Sequence, residues 1–206
     1  MATLSSFQGH KIAIVGDSGV GKSTIFALLT GERFSSCYVK TKERAIATKL
    51  VSLPNGTQEK LQLWDTPGAD ETRTYTSHSI RDVKGVILVF DVSNEDTYLN
   101  VNNWIEVINT YSNEDSVPII VIANKIDKVR NRKVKEEQVQ QLGIQKGLLF
   151  LETSAKSGLN IEQIAPLMAQ ELQKRSTINT LESDTLSRMN NTPPKDRSIF
   201  SSCNLL

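Results

Sequence analysis

HKIAIVGDSGVGKSTIFALLT, residues 10–30, runs from a strand into a helix through a glycine-rich turn. HKIAIVG reads as the strand and GKSTIFALLT as the helix, with Gly31 placed to stop it. The same alternation recurs outward from this stretch. Residues 49–64 read as two strands joined through Asn55-Gly56, the strongest short hairpin signal. GVILVFDV (85–92) and PIIVIANKID (118–127) are apolar on both faces, as buried parallel strands are. Between them Tyr98, Val101, Ile105 and Ile108 recur at helical spacing with Trp104 beside them, predicting a core-facing helix. LLFLETSAK (148–156) is a strand running into a loop. Residues 160–175 form a last helix, capped by Asn160 and expected to bend or start late at Pro166. Short apolar runs alternating with helical patterns are the mark of βαβ units, so the fold class is α/β with a parallel sheet.

A chain of 206 residues with 38% hydrophobic and 23% charged residues suits one soluble domain with a full core. Its formal net charge of +1 carries no nucleic-acid footprint, which would show as clustered excess Lys and Arg. Cys37 and Cys203 make neither a disulfide framework nor a zinc set, and a reducing compartment fits best. His10 and His78, the only histidines, belong to no cluster suited to zinc or triad chemistry. The first residues lack the apolar core of a signal peptide, and Ala2 excludes N-myristoylation. No apolar run approaches the roughly 20 residues that span a bilayer. After Arg175 periodicity fades and Pro193-Pro194 appears. Residues 1–175 are therefore read as the folded domain and 176–206 as a disordered tail.

Gly16 to Ser23 fits G-x-x-x-x-G-K-[ST] between a strand and a helix, the context that the motif requires. The glycines let the backbone curl so that successive N–H groups meet phosphate oxygens, and the helix N-terminus adds positive potential. Asp17, Ser18, Gly19, Val20, Gly21 and Thr24 complete the cradle. Lys22 reaches the β- and γ-phosphates, and the Ser23 hydroxyl ligates Mg²⁺. The base is addressed by Asn124-Lys125-Ile126-Asp127, which follows a buried strand at the edge where α/β sheets bind ligands. The Asp127 carboxylate can accept from both N1–H and the 2-amino group of guanine, a donor pair that adenine lacks. Asn124 and the Lys125 stem shape the pocket, and the Ser154-Ala155-Lys156 loop offers the Ala155 N–H to guanine O6.

GDSGVGKS, WDTPG, NKID and ETSAK, in that order and spacing, resemble the Ras superfamily of small GTPases from Lys11 to Arg175. Ser18, the LQLWDT strand, the ETSAK loop and the cysteine-bearing tail resemble the Rab branch most. The resemblance implies a P-loop NTPase (small G-protein) fold: a mixed, mostly parallel six-stranded sheet with helices on both faces. It also implies a monomeric G domain acting as a guanine-nucleotide switch in vesicle and membrane trafficking, binding GTP or GDP with Mg²⁺ and hydrolysing GTP. Phe34 resembles the aromatic packed on the guanine ring. Thr41 resembles the threonine that binds Mg²⁺ and senses the γ-phosphate, Asp65 the aspartate that holds the magnesium water shell, and Gly68 the γ-phosphate N–H donor. Lys22, Thr41 and Gly68 are thus the catalytic candidates. Implied partners are an exchange factor, a GTPase-activating protein, a lipid-shielding carrier and effectors.

The chain departs from the family where the run WDTAGQE is usual: Pro67 replaces its Ala and Ala69 its Gln. That glutamine orients the attacking water, and a methyl group neither donates nor accepts, so intrinsic hydrolysis is expected to be very slow. Lys42 to Ile46, Thr72, Ser79 and Ile80 also depart from the usual switch residues, and Trp64 is read as contributing either to the switch-side surface or to buried packing. Arg33, Arg44 and Arg73 read as solvated charge. Two other readings compete: a GTP-binding scaffold without useful turnover, favoured by Ala69, and a different P-loop enzyme such as a nucleotide kinase, opposed by NKID. Cys203-Asn204-Leu205-Leu206 matches C-a-a-X with Leu last, predicting geranylgeranylation at Cys203. The tail has no polybasic stretch to supply the second signal a single lipid needs. The expected location is the cytoplasmic face of an endomembrane or the plasma membrane, with a cytosolic pool.

Overall fold

The computed structural model describes residues 9–35, 45–66, 79–113 and 117–190. Thr41, Cys37, Arg44, Pro67, Gly68, Ala69, Thr72, Arg73 and Cys203 lie outside them. The strands are β1 (His10–Val15), β2 (Ala45–Ser52), β3 (Gln58–Asp65), β4 (Gly85–Asp91), β5 (Ile119–Asn124) and β6 (Leu149–Glu152). The helices are α1 (Lys22–Leu29), α2 (Glu95–Leu99), α3 (Val101–Tyr111), α4 (Glu136–Lys146) and α5 (Ile161–Asn190). They build one six-stranded sheet in the order β2-β3-β1-β4-β5-β6. Only β2 and β3 pair antiparallel; the other neighbours are parallel, as expected of a mixed, mostly parallel sheet.

The sheet is buried on both faces because alternate residues of each strand feed separate apolar clusters. Ile12 and Ile14 of β1 pack with Ile25 of α1 and with Ile164 and Met168 of α5. Ala13 and Val15 pack on the other side with Val101, Trp104 and Ile108 of α3 and Val139 of α4. Helices thus cover both faces. β4 and β5 are buried throughout, which their uninterrupted apolar runs foretold. Trp104 is core as expected, while Tyr98 and Ile105 are only partly buried.

The β2–β3 hairpin turns where Asn55-Gly56 predicts it, but through a three-residue loop. Leu53 N–H donates to Thr57 O (2.8 Å) and Gly56 N–H to Leu53 O (2.9 Å). Gly56 takes φ +82° while Asn55 keeps a negative φ. This is a type I turn closed by a left-handed glycine, with Pro54 at its favoured second position.

Four features differ from what the sequence suggests. Helix α4, with Val139, Leu142 and Gly143 inward, has no clear apolar period in the sequence, because only those residues of a polar stretch carry its buried face. Helix α5 starts at Ile161, so Pro166 delays nothing; it removes one internal hydrogen bond, to Glu162, and is tolerated inside the helix. Asn160 does not cap it through its side chain: Nδ2 donates to Glu152 O (2.8 Å) and Oδ1 accepts from Gln163 Nε2 (3.0 Å). The helix also continues to Asn190, where a structureless tail was expected from residue 176. Residues 176–190 contain no Gly or Pro, so extending an existing helix has little cost per residue. Cα proximity divides the chain into a unit ending at Leu172 and a second beginning at Gln173. Among the described residues, no helix is long and apolar enough to cross a membrane.

Candidate nucleotide-binding site

The carboxyl ends of β1, β3 and β5 and the loop after β6 carry predicted residues, at the sheet edge where open α/β folds bind ligands. The loop after β1 opens with Gly16 at φ +137°, where an added Cβ would lie 2.1 Å from Val89 O. Gly19 and Gly21 are also left-handed, at +74° and +108°, and a Cβ at Gly21 would meet Asn124 Nδ2 at 2.4 Å. Glycine is demanded at Gly16 and Gly21 by close approach as well as by φ.

Side-chain donors hold the carbonyls of this loop. Lys22 Nζ donates to Gly16 O (2.8 Å) and Asp17 O (2.6 Å). Lys125 Nζ donates to Gly19 O (2.6 Å), and Asn124 Nδ2 to Val20 O (2.9 Å). A trans peptide points its N–H opposite its C=O, so fixing the carbonyls also fixes the amides that a phosphate would meet. The Asp17 carboxylate turns to α3 and its leading residue: Oδ2 accepts from Asn100 Nδ2 (3.0 Å) and Oδ1 from Trp104 Nε1 (2.9 Å). Neither partner is legible from the sequence, since the loop and the helix are far apart along the chain.

Asn124 is 1% exposed and ties three segments together. Besides reaching Val20, its Oδ1 accepts from Ala155 N–H (3.1 Å) and Thr153 Oγ1 (3.2 Å). The Ala155 N–H expected to meet guanine O6 is thus held at the same junction, donating to Asn124 Oδ1. Asp127, exposed, accepts from Ser154 Oγ at 2.6 Å, which positions the carboxylate expected to read guanine. Lys156 is exposed, and so is Phe34, at 41%, outside both clusters. Arg33 is exposed as read. Ser23 and Thr24 sit half-buried in the first turn of α1. Trp64 is half-buried, with Lys11 Nζ 4.4 Å from its ring centroid, and pairs in register with the exposed Ile46. Ser79 and Ile80 are fully buried.

Lys125 has a second anchor. Its Nζ lies 2.8 Å from Asp91 Oδ2 at the end of β4. Burial alone raises the Asp91 carboxyl, but hydrogen bonds from Lys125 and Ser93 outweigh it and hold the group below its ordinary 3.8. A depressed folded-state value means that the stabilisation is complete above 3.8 and is lost as pH falls through the lower folded value. Asp91→Asn is therefore expected to be less stable than wild type at about pH 7, the gap narrowing as pH falls below 3.8 in matched denaturant titrations. A gap independent of pH would refute this.

Asp65 is 2% exposed, and its Oδ1 has no hydrogen-bond partner. Burial raises its carboxyl, opposed by a hydrogen bond from Ser23, the charge of Lys22 and the Thr66 backbone. An orphaned buried carboxylate oxygen next to a serine hydroxyl is a hard-oxygen donor pair, which fits Mg²⁺. Thr66 Oγ1 donates to Ile14 O (2.7 Å) and pins the end of β3 to β1.

The Ras family model matches residues 11–174. Ras-related protein Rab-26 of Rattus norvegicus is 36% identical over 168 residues, 81% of this chain and 65% of that protein. Ras-related protein Rab-8 of Diplobatis ommata is 33% identical over 189 residues, covering 90% and 89%. Ras-related protein SEC4 of Candida albicans (strain WO-1) is 36% identical over 170 residues, covering 80% and 78%. With the family model spanning the sheet and its loops, and Rab proteins matched over most of their length, the chain belongs to the Ras family of small GTPases, in its Rab branch.

Proposed function

We propose that this chain is a Rab-type guanine-nucleotide switch in vesicle and membrane trafficking that binds GTP and GDP and hydrolyses GTP slowly. The observation that carries the reading is the Asn124 junction, which gathers the phosphate loop, the Asp127 loop and the Ser154-Ala155 loop around one edge of the sheet. Lys22 supplies positive charge to the β- and γ-phosphates. Ser23 and Thr41 would ligate Mg²⁺ and Asp65 would hold its water shell, and the ion when bound would neutralise charge on the phosphate oxygens. The Gly68 N–H meets the γ-phosphate, so Thr41 and Gly68 order in the GTP state and relax once that phosphate leaves.

Catalysis of phosphoryl transfer is mostly positioning and electrostatics, and these residues retain both. The water-orienting amide is what Ala69 lacks. Ala69→Gln is expected to raise single-turnover GTP hydrolysis about tenfold or more. Equal rates in the two proteins would refute the role given to Ala69. The scaffold reading rests on the same residue; it wins if purified wild-type protein holds GTP with no measurable phosphate release. Tighter binding of ATP than of GTP would overturn the guanine reading itself. Exchange factor, activating protein, carrier and effectors act on this cycle, with a prenyl group at Cys203 attaching the chain to its membrane.

A further inference from the structure

Two hydrogen-bonded routes leave the phosphate loop and end in the same segment, residues 91–104. One runs from the Asp17 carboxylate to Asn100 Nδ2 (3.0 Å) and Trp104 Nε1 (2.9 Å). The other runs from Gly19 O to Lys125 Nζ (2.6 Å) and on to Asp91 Oδ2 (2.8 Å). The two meet through α2. Its Thr97 Oγ1 takes the Asp91 N–H (3.0 Å) and lies 3.2 Å from Asp91 O, while the Asn100 N–H closes on Asp96 O (3.0 Å). Trp104 cannot drift, being 6% exposed and wedged among Val101, Ile108 and the strand residues of its cluster. Its indole N–H is the polar tip of an otherwise apolar side chain, and Asp17 is the acceptor that makes its burial tolerable.

We propose that Asp17, Asn100 and Trp104 form a latch that governs nucleotide release, with Asp17 as the positioning residue that ties the phosphate loop to α3. This rests on the guanine-nucleotide reading above. The latch acts on the backbone: fixing Asp17 at one end and Gly19 at the other preserves the curvature that aims the intervening amides at phosphate. When the latch opens the loop flexes, the array of N–H groups loses register, and the ligand leaves faster. The β4–α3 segment becomes a handle on the site, although none of its residues is expected to touch the nucleotide.

The bonding pattern is directional, which gives a sharp test. Asn100→Asp sets two carboxylates face to face and breaks the latch by like-charge repulsion. Adding Asp17→Asn reverses the polarity: the introduced amide nitrogen donates to the carboxylate now at position 100, and the amide oxygen still accepts from Trp104. Release of a fluorescent GDP analogue is followed in the full chain with Mg²⁺ and excess unlabelled GDP. N100D is expected to speed release about tenfold or more, and D17N/N100D to return it to within about threefold of wild type. Should N100D fold poorly, W104F is the second variant: it keeps an aromatic ring, smaller than the indole, deletes one donor and speeds release by about threefold or more. With W64F in the background, Trp104 emission reads the indole bond directly and should shift on N100D and recover in the double variant. Release from N100D at the wild-type rate, or rapid release that the double variant fails to slow, overturns the latch. Wild-type protein that captures no fluorescent GDP overturns the functional reading, and the latch with it.

Discussion

Asn124→Ala is expected to lower stability by about 3–5 kcal/mol and to weaken GDP retention about a hundredfold or more. The side chain is 1% exposed and makes three hydrogen bonds, to Val20 O, Ala155 N and Thr153 Oγ1. Truncation leaves the Val20 carbonyl and the Ala155 amide without that partner in a site closed to water, at about 1–3 kcal/mol each. The vacated volume adds a packing loss of similar sign. The effect on ligand binding compounds this, because Val20 belongs to the phosphate loop and Ala155 to the base loop. Chemical denaturation and GDP titration of the same preparation measure both. A stability change below about 1 kcal/mol would mean that these bonds are not the junction described here.

The second large effect is expected at Gly16→Ala. An added Cβ lies 2.1 Å from the Val89 carbonyl oxygen, a backbone atom of a strand buried on both faces. No rotamer relieves a backbone clash, so β1 and β4 must separate or the loop must move, and φ +137° is strained for any L residue. A loss exceeding about 4 kcal/mol is expected, among the largest single-residue effects. Gly19→Ala is the control. Its φ of +74° carries about 1–2 kcal/mol of left-handed strain, but nothing lies within 4 Å of the new carbon. If thermal melts place the two variants together, the close approach at Gly16 is not limiting.

The strands were legible because burial on both faces leaves no ambiguity: GVILVFDV and the PIIVIAN run contain too few polar residues to sit at a surface. The phosphate loop was legible because its glycines, lysine and serine fall within eight consecutive residues, although what presses on Gly16 and Gly21, Val89 and Asn124, lies far along the chain. Helix α4 was opaque for the opposite reason, since most of its residues face solvent and its periodicity rests on Val139, Leu142 and Gly143. The continuation of α5 to Asn190 has no apolar pattern to announce it, because propagation needs only the lack of a stop. The site divides likewise. Asn124 and Asp127 were found from a motif, but the bond from the Ala155 N–H to Asn124 is a matter of three-dimensional satisfaction. Asn100, Trp104 and Asp91 carry no local signature, because their partners are brought to them only by the sheet.

The division of the interior by the sheet has a consequence for how the domain comes apart. Ile12 and Ile14 belong to one cluster, and Ala13 and Val15, their immediate neighbours, to the other. A strand cannot withdraw its odd-numbered residues while keeping its even-numbered ones in place. Loosening either helical layer therefore exposes backbone that the opposite layer still needs. Opening of β1, β4 and β5 becomes a single all-or-none event rather than a peeling of layers.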